Sequence, residues 1–315
     1  MISMSFRRVP TGVPELDDLI EGGFPADSMI LLVGFPGAGK TTFSGQFLYA
    51  GAERFGARGV YASFAETKRT FIRNMLRFGW DFERLEKERR VAILDLSVTR
   101  EAGLQTNLNT IMETMTSMGA ERLVIDSFTA ISMALKDAID VRVMVHLLYK
   151  FLKKANCVSL IILDQPWGST SIGQGIIEFL ADGIIYLETY FDEKYNLRRR
   201  LRILKMRGTN HSKSPHEYEI SEDGFVILKQ KRYTVEELEM MTMPALWNIA
   251  RELGVSRKGR KQELINRIIR ATLGVEKRLA PTMSRKRRKK PAKGSASRRT
   301  TRSSKRTRAE EESEK

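Results

Sequence analysis

The chain has 315 residues, with 54 Lys and Arg against 38 Asp and Glu, and a single cysteine, Cys157. That length accommodates a full α/β core plus a smaller unit, one cysteine excludes a disulfide framework, and no apolar run approaches the roughly 18 residues of a membrane-spanning helix. The net charge of +16 is uneven: residues 1–232 hold 31 basic and 28 acidic side chains, residues 233–273 hold 7 and 5, and residues 274–315 hold 16 and 5. The basicity is therefore a property of the C-terminal end. The opening residues lack the apolar stretch of a signal peptide, and the expected compartment is cytoplasmic.

Residues 1–232 alternate apolar runs with longer amphipathic stretches. The pattern predicts strands at 29–33, 59–64, 91–96, 122–126, 158–164 and 183–187. Helices are predicted near 41–55, 69–79, 107–118 and 140–155. Strands that are apolar on both faces and alternate with helices imply an α/β fold with a mostly parallel sheet flanked by helices. From 201 to 228 the runs shorten and a turn at Glu222, Asp223 and Gly224 intervenes, which predicts an antiparallel extension.

The first strand leads into Gly34, Phe35, Pro36, Gly37, Ala38, Gly39, Lys40 and Thr41. This is a phosphate-binding loop placed between a strand and a helix. Its glycines let backbone N–H groups turn toward phosphate oxygens, and the helix N-terminus adds its dipole. Lys40 is expected to reach the terminal phosphates of a nucleotide, Thr41 to ligate Mg2+, and Thr42 to face the nucleotide. Asp126 ends an apolar strand and is the candidate second metal residue.

Glu66 follows the strand 59–64, at the sheet end where ligands bind in such folds. It is the candidate to position or deprotonate water. The alternative is that it only favours the N-terminus of the next helix. Lys205 and Arg207 lie two apart on a strand, so they face the same way. They suit a phosphate on another molecule, or else a charged, solvated edge.

Residues 233–274 read as a compact helical module. Thr234 and Glu237 make a capping-box pattern, Pro244 opens a second helix, and Leu264, Ile265, Ile268 and Ile269 stripe a third. Between 285 and 308 there are 13 Lys and Arg and no acid. That composition predicts a disordered basic tail over 275–315.

Taken together, Gly12 to Pro25, the phosphate loop, Phe43 to Tyr49, Phe78 to Asp81, Ile125 to Ser127 and Lys205 to His211 resemble the KaiC branch of the RecA-like ATPases. The resemblance implies ATP bound at subunit interfaces of a homo-oligomeric ring, usually a hexamer. In that arrangement Lys205 and Arg207 act on the neighbour's nucleotide, and His211 approaches the same phosphate. Relatives usually carry two acids after the second strand, whereas this chain has Ala65 and Glu66. Hydrolysis is still expected, at a rate that Ala65 leaves open to being slow. The clock protein's autokinase domain carries adjacent Ser and Thr where this chain has Glu178 and Phe179, so autophosphorylation of that kind is not expected. Residues 234–270 resemble a SAP or Rho-N-terminal-like module, which implies nucleic-acid binding, with docking to the ring or to a protein partner as the alternative. The functional expectation is an ATP-hydrolysing ring ATPase with a nucleic-acid-binding C-terminal region. The alternatives are a slow ATP-dependent switch that recruits a protein partner, and a scaffold in which ATP only cements the ring.

Overall fold

The computed structural model describes residues 7–96, 101–133, 135, 138–166, 169, 177–192, 194–228 and 233–272. The predicted basic tail lies outside them. A short ribbon of β1 (Arg8–Val9) and β2 (Phe24–Pro25) brackets α1 (Pro14–Leu19). Then follow β3 (Met29–Gly34), α2 (Lys40–Phe55), β4 (Gly59–Ser63), α3 (Lys68–Leu76), α4 (Phe82–Lys87), β5 (Val91–Asp95), α5 (Glu101–Met118) and β6 (Arg122–Asp126). The second half continues with α6 (Phe128–Met133), α7 (Ala138–Lys154), β7 (Val158–Asp164), α8 (Ile177–Leu180), β8 (Gly183–Phe191), β9 (Leu197–Met206), β10 (His216–Ser221) and β11 (Gly224–Ile227).

The sheet runs in the order β11, β10, β9, β8, β3, β7, β6, β4, β5. Strands β8, β3, β7, β6, β4 and β5 pair in parallel, and β9, β10 and β11 extend the sheet antiparallel. Period-2 alternation assigns the apolar strand residues to two cores. Ile30, Leu32, Tyr61, Val124, Leu160 and Ile162 meet Phe43, Phe47 and Phe71 on one face. Leu31, Val33, Val60, Leu123, Ile125 and Ile161 meet Leu108, Val145 and Leu148 on the other. Both faces are covered, which is why the central strands read as unbroken apolar runs.

Register sets the site. Gly34 at the end of β3 lies opposite Asp164 at the end of β7. Asp126 at the end of β6 lies opposite Ser63 at the end of β4. The carboxyl ends of four neighbouring strands therefore converge on one rim of the sheet.

The six predicted parallel strands and the antiparallel extension are present, with corrected ends. Helix α3 starts one residue earlier than expected, because Thr67 caps it by accepting from the Thr70 amide. It also stops sooner, at Leu76, and Gly79 then takes a left-handed φ of 73°. Strands β8 and β9 are longer than their apolar runs. Beyond Leu187 the pair continues through Glu188 and Arg200, where β10 still lies alongside with Glu217 opposite Arg200, and the Glu188–Arg200 ion pair at 2.6 Å carries the polar side. Cys157 is buried, where a free thiol packs as a small hydrophobe.

The C-terminal helices are α9 (Val235–Met240), α10 (Met243–Glu252) and α11 (Lys261–Thr272). The Thr234 hydroxyl accepts from the Glu237 amide while the Glu237 carboxylate accepts from the Thr234 amide, completing the capping box. Leu238, Leu246, Ala250, Leu264, Ile265 and Ile268 form a separate small core. Arg267 donates to the carbonyls of Ser256 and Lys258, which folds the basic loop 256–261 onto α11.

Candidate functional site

The loop between β3 and α2 is built on two left-handed glycines, Gly37 at φ 83° and Gly39 at φ 91°. That backbone region is strained for any L side chain. A Cβ on Gly39 would also lie 2.4 Å from the Cδ1 of Ile220. A Cβ on Gly37 would meet nothing within 4 Å, so this stretch of loop faces open space. Gly34 and Ala38 shape the loop through their carbonyls: Gly34 accepts from Lys40, and Ala38 accepts from the Tyr218 hydroxyl at 2.6 Å. Tyr218 thereby ties the antiparallel strand β10 to the loop.

Lys40 opens helix α2 and is only 6 % exposed. Its ammonium donates to the carbonyls of Gly34 and Phe35 at 2.8 and 2.9 Å and pairs with Asp164 at 2.9 Å. Next to it, the Thr41 hydroxyl donates to Asp126 Oδ2 at 2.9 Å. The buried Tyr61 hydroxyl donates to the same oxygen at 2.5 Å. Burial pushes the Asp126 carboxyl above its ordinary range, and these two donors pull it partly back. Burial, with Asp126 beside it, pushes the Tyr61 hydroxyl well above its usual value, so it remains a donor.

Glu66 closes the opposite side. Its backbone is held by Ser63, whose hydroxyl donates to the Glu66 carbonyl at 2.6 Å. The amide of Asn74 reaches Glu66 Oε2 at 3.4 Å. Glu66 Oε1 is buried and has no hydrogen-bond partner among the described residues. Burial, then the charge of Asp126, raise its carboxyl above the ordinary value. The first amides of α3 bond instead to Asp95 and Thr67, at 3.1 and 3.3 Å. Among the described residues, then, the bonds at that helix start are made by other side chains than Glu66.

Pro36, Gly37, Gly39, Lys40, Thr41, Thr42, Glu66, Asp126 and Asp164 line one cavity of about 710 Å³. Arg73, Asn74, Arg77 and Phe78 from α3 and the residues after it, with Ile220 from β10, form its walls. The donor set fits a magnesium nucleotide. One hydroxyl and one carboxylate, with phosphate oxygens and water completing the shell, suit a hard cation that keeps much of its hydration. Lys40 and the loop amides suit the phosphates.

Lys205, Arg207 and His211 stand outside this cavity's lining. Lys205 donates to the carbonyls of Glu178 and Phe179 at 3.0 and 3.3 Å. Arg207 donates to the Phe179 carbonyl at 2.8 Å and pairs with Asp182 at 3.4 Å. The two share an acceptor, so they do face the same way. His211 contacts Ser212 and Lys213. Sequence reasoning missed Asp164, although it ends an apolar strand just as Asp126 does. Tyr61 and Asn74 carried no signal, since each acts through a neighbour in space.

Fold and site together define a RecA-like phosphate-loop ATPase domain. A sequence model of the KaiC ATPase family matches residues 9–232, and the chain belongs to that family. A UPF0273 protein of Methanocaldococcus jannaschii is 31% identical over 240 residues, covering 71% of this chain and 98% of that protein. The circadian clock oscillator protein KaiC of Prochlorococcus marinus is 30% identical over 234 residues, but the match spans only 46% of it. The crystal structure of a KaiC-like protein from Pyrococcus horikoshii superposes with a TM-score of 0.65 at 38% identity, covering 71% of this chain and all of that one.

Proposed function

We propose that the protein binds Mg·ATP at the cavity between Lys40, Asp126 and Glu66 and hydrolyses it. The observation that carries this reading is that Glu66 lines the same cavity as the phosphate loop, Thr41 and Asp126. A carboxylate at that place suits a water beside the terminal phosphate. The loop amides and Lys40 hold the phosphates. Thr41 and Asp126 would hold magnesium, which neutralises charge developing on the phosphoryl oxygens. Tyr61 keeps the Asp126 carboxylate turned toward Thr41.

Lys205, Arg207 and His211 are assigned to the neighbouring site of a homo-oligomeric ring, probed by subunit mixing. Their placement away from their own cavity supports that assignment. Within the C-terminal region, the folded-back basic loop 256–261 and the cationic tail are assigned to nucleic acid, in keeping with a SAP-like module. A slow switch that recruits a protein partner is the second reading, favoured by Ala65 at the cavity wall, where the resemblance to KaiC implies an acid. Steady-state ATP hydrolysis with and without DNA or RNA separates the two. Stimulation by nucleic acid supports the first reading, and slow turnover indifferent to it supports the second.

A further inference from the structure

We infer that Asn74 is a positioning residue for Glu66, holding the plane of its carboxylate at the cavity wall. The inference rests on the reading of Glu66 as the water-positioning group.

Asn74 lies about two turns into α3, and its side-chain amide donates to the Glu66 carboxylate. The bond goes to Oε2 at 3.4 Å and leaves Oε1 buried and unpartnered. The two oxygens of a carboxylate are equivalent, so what a donor on one of them fixes is the plane of the group. Contacts of this kind are commonly long in the absence of substrate and tighten on binding. Glu66 cannot obtain the same orientation from its own backbone, because Ser63 fixes only the main chain there. Asn74 is also the wall residue suited to the task. Its neighbours on that face, Arg73 and Arg77, are cations. An arginine on Oε2 would stabilise the anion and weaken it as a base, whereas a neutral amide orients without a full charge. The charged groups that line the cavity with Glu66 are Asp126 from β6, Asp164 from β7, Lys40 from α2, Arg73 from α3 and Arg77 just after it.

The test uses full-length protein and ATP, with Asn74→Leu (similar in size, no donor) and Asn74→Asp (similar in shape, like-charged). Each is expected to lower kcat by about 10- to 100-fold, the range a misplaced reacting group costs. The affinity for a fluorescent ATP analogue should stay within about twofold. In Asn74→Asp the acid limb of the kcat–pH profile should also move up, since a second carboxylate raises the first. Adding Asn74→Leu to Glu66→Gln should cost nothing further, because the two act as one unit. Thermal melts and Asn74→Ser guard against misfolding; serine, too short to reach Oε2, should behave as leucine does. A wild-type kcat in Asn74→Leu alongside an inactive Glu66→Gln overturns the positioning inference alone. Lost nucleotide affinity with unchanged kcat also overturns it, making Asn74 a ligand contact. A wild-type rate in Glu66→Gln overturns the underlying reading.

Discussion

The Thr41 hydroxyl and the Asp126 carboxylate meet at 2.9 Å, and that bond joins the first turn of α2 to the end of β6. Two elements far apart in sequence are thereby joined at the rim of the sheet, with two oxygen donors side by side. Pre-organised oxygen donors of this kind are what a small, reluctantly dehydrated cation requires. The neighbouring ion pair of Lys40 and Asp164 completes the rim.

Lys40→Ala is expected to weaken nucleotide binding by at least about 100-fold, the scale of losing a charge-assisted contact of roughly 3 kcal/mol. The substitution also strips Asp164 of its partner, so the cavity becomes more negative as well as less basic. Calorimetric titration with ATP and magnesium is the measurement. Affinity near the wild-type value contradicts the phosphate-loop assignment.

Tyr61→Phe removes a buried hydroxyl that donates to a carboxylate. Hydrogen bonds to charged groups contribute about 1.5–3 kcal/mol, so the urea midpoint should fall accordingly. The magnesium dependence of ATP affinity should steepen as well, because Asp126 loses one of its two orienting donors. A variant as stable as wild type excludes the orienting role.

The pH dependence follows from Asp126 and Glu66, whose carboxyls are both raised above 3.8 and 4.5 by burial. The folded protein then binds more protons than the unfolded chain between those ordinary values and the raised ones. Their contribution to stability is present at low pH and is lost as pH climbs through the raised values. Without nucleotide, Asp126→Asn should therefore gain on wild type as pH rises from about 4 toward neutrality. Melting curves of the two proteins across that window check it, and parallel curves contradict it. Activity has the opposite sense, since Glu66 works ionised and the rate should fall as pH drops through its raised value.

Much of this was legible because burial on both faces leaves an unmistakable apolar run. The strand ending in Asp126 and the glycine-rich loop are signals of that kind, and so is the capping box at Thr234. The polar continuation of β8 and β9 was only half visible, because alternating Glu188, Arg200 and Arg202 look like loop chemistry until they pair across strands. The site was legible where function lies in the backbone loop and at strand ends. It was hidden where function is relayed. Tyr61 sits inside an apolar strand and Asn74 inside a helix, and only the third dimension brings them to Asp126 and Glu66. The proposed roles of Lys205, Arg207 and His211 depend on a second chain.

For those residues the expected outcome is complementation. Arg207→Ala and Lys40→Ala subunits should each be inactive alone, and mixed hetero-oligomers should recover part of the rate. Each subunit supplies what the other lacks, and loss of such an arginine typically costs on the order of 10³-fold or more. Verified mixed oligomers that stay inactive contradict action across an interface.

Nucleic-acid binding by the C-terminal region should be strongly salt-dependent. The 13 cations of residues 285–308 face no acid within that stretch, and each duplex phosphate neutralised contributes a slope of about −0.9 in log affinity against log salt. Deleting 275–315 should remove most of the affinity and flatten the slope while ATP binding persists. Equal binding by both proteins assigns the region to another partner.

The most direct test of the whole account is single-turnover ATP hydrolysis by Glu66→Gln beside wild type, with bound nucleotide measured in the same samples. The account predicts full ATP and magnesium binding with turnover reduced by at least about 100-fold, the contribution of a positioned base. Hydrolysis at the wild-type rate by a variant that binds ATP normally contradicts it.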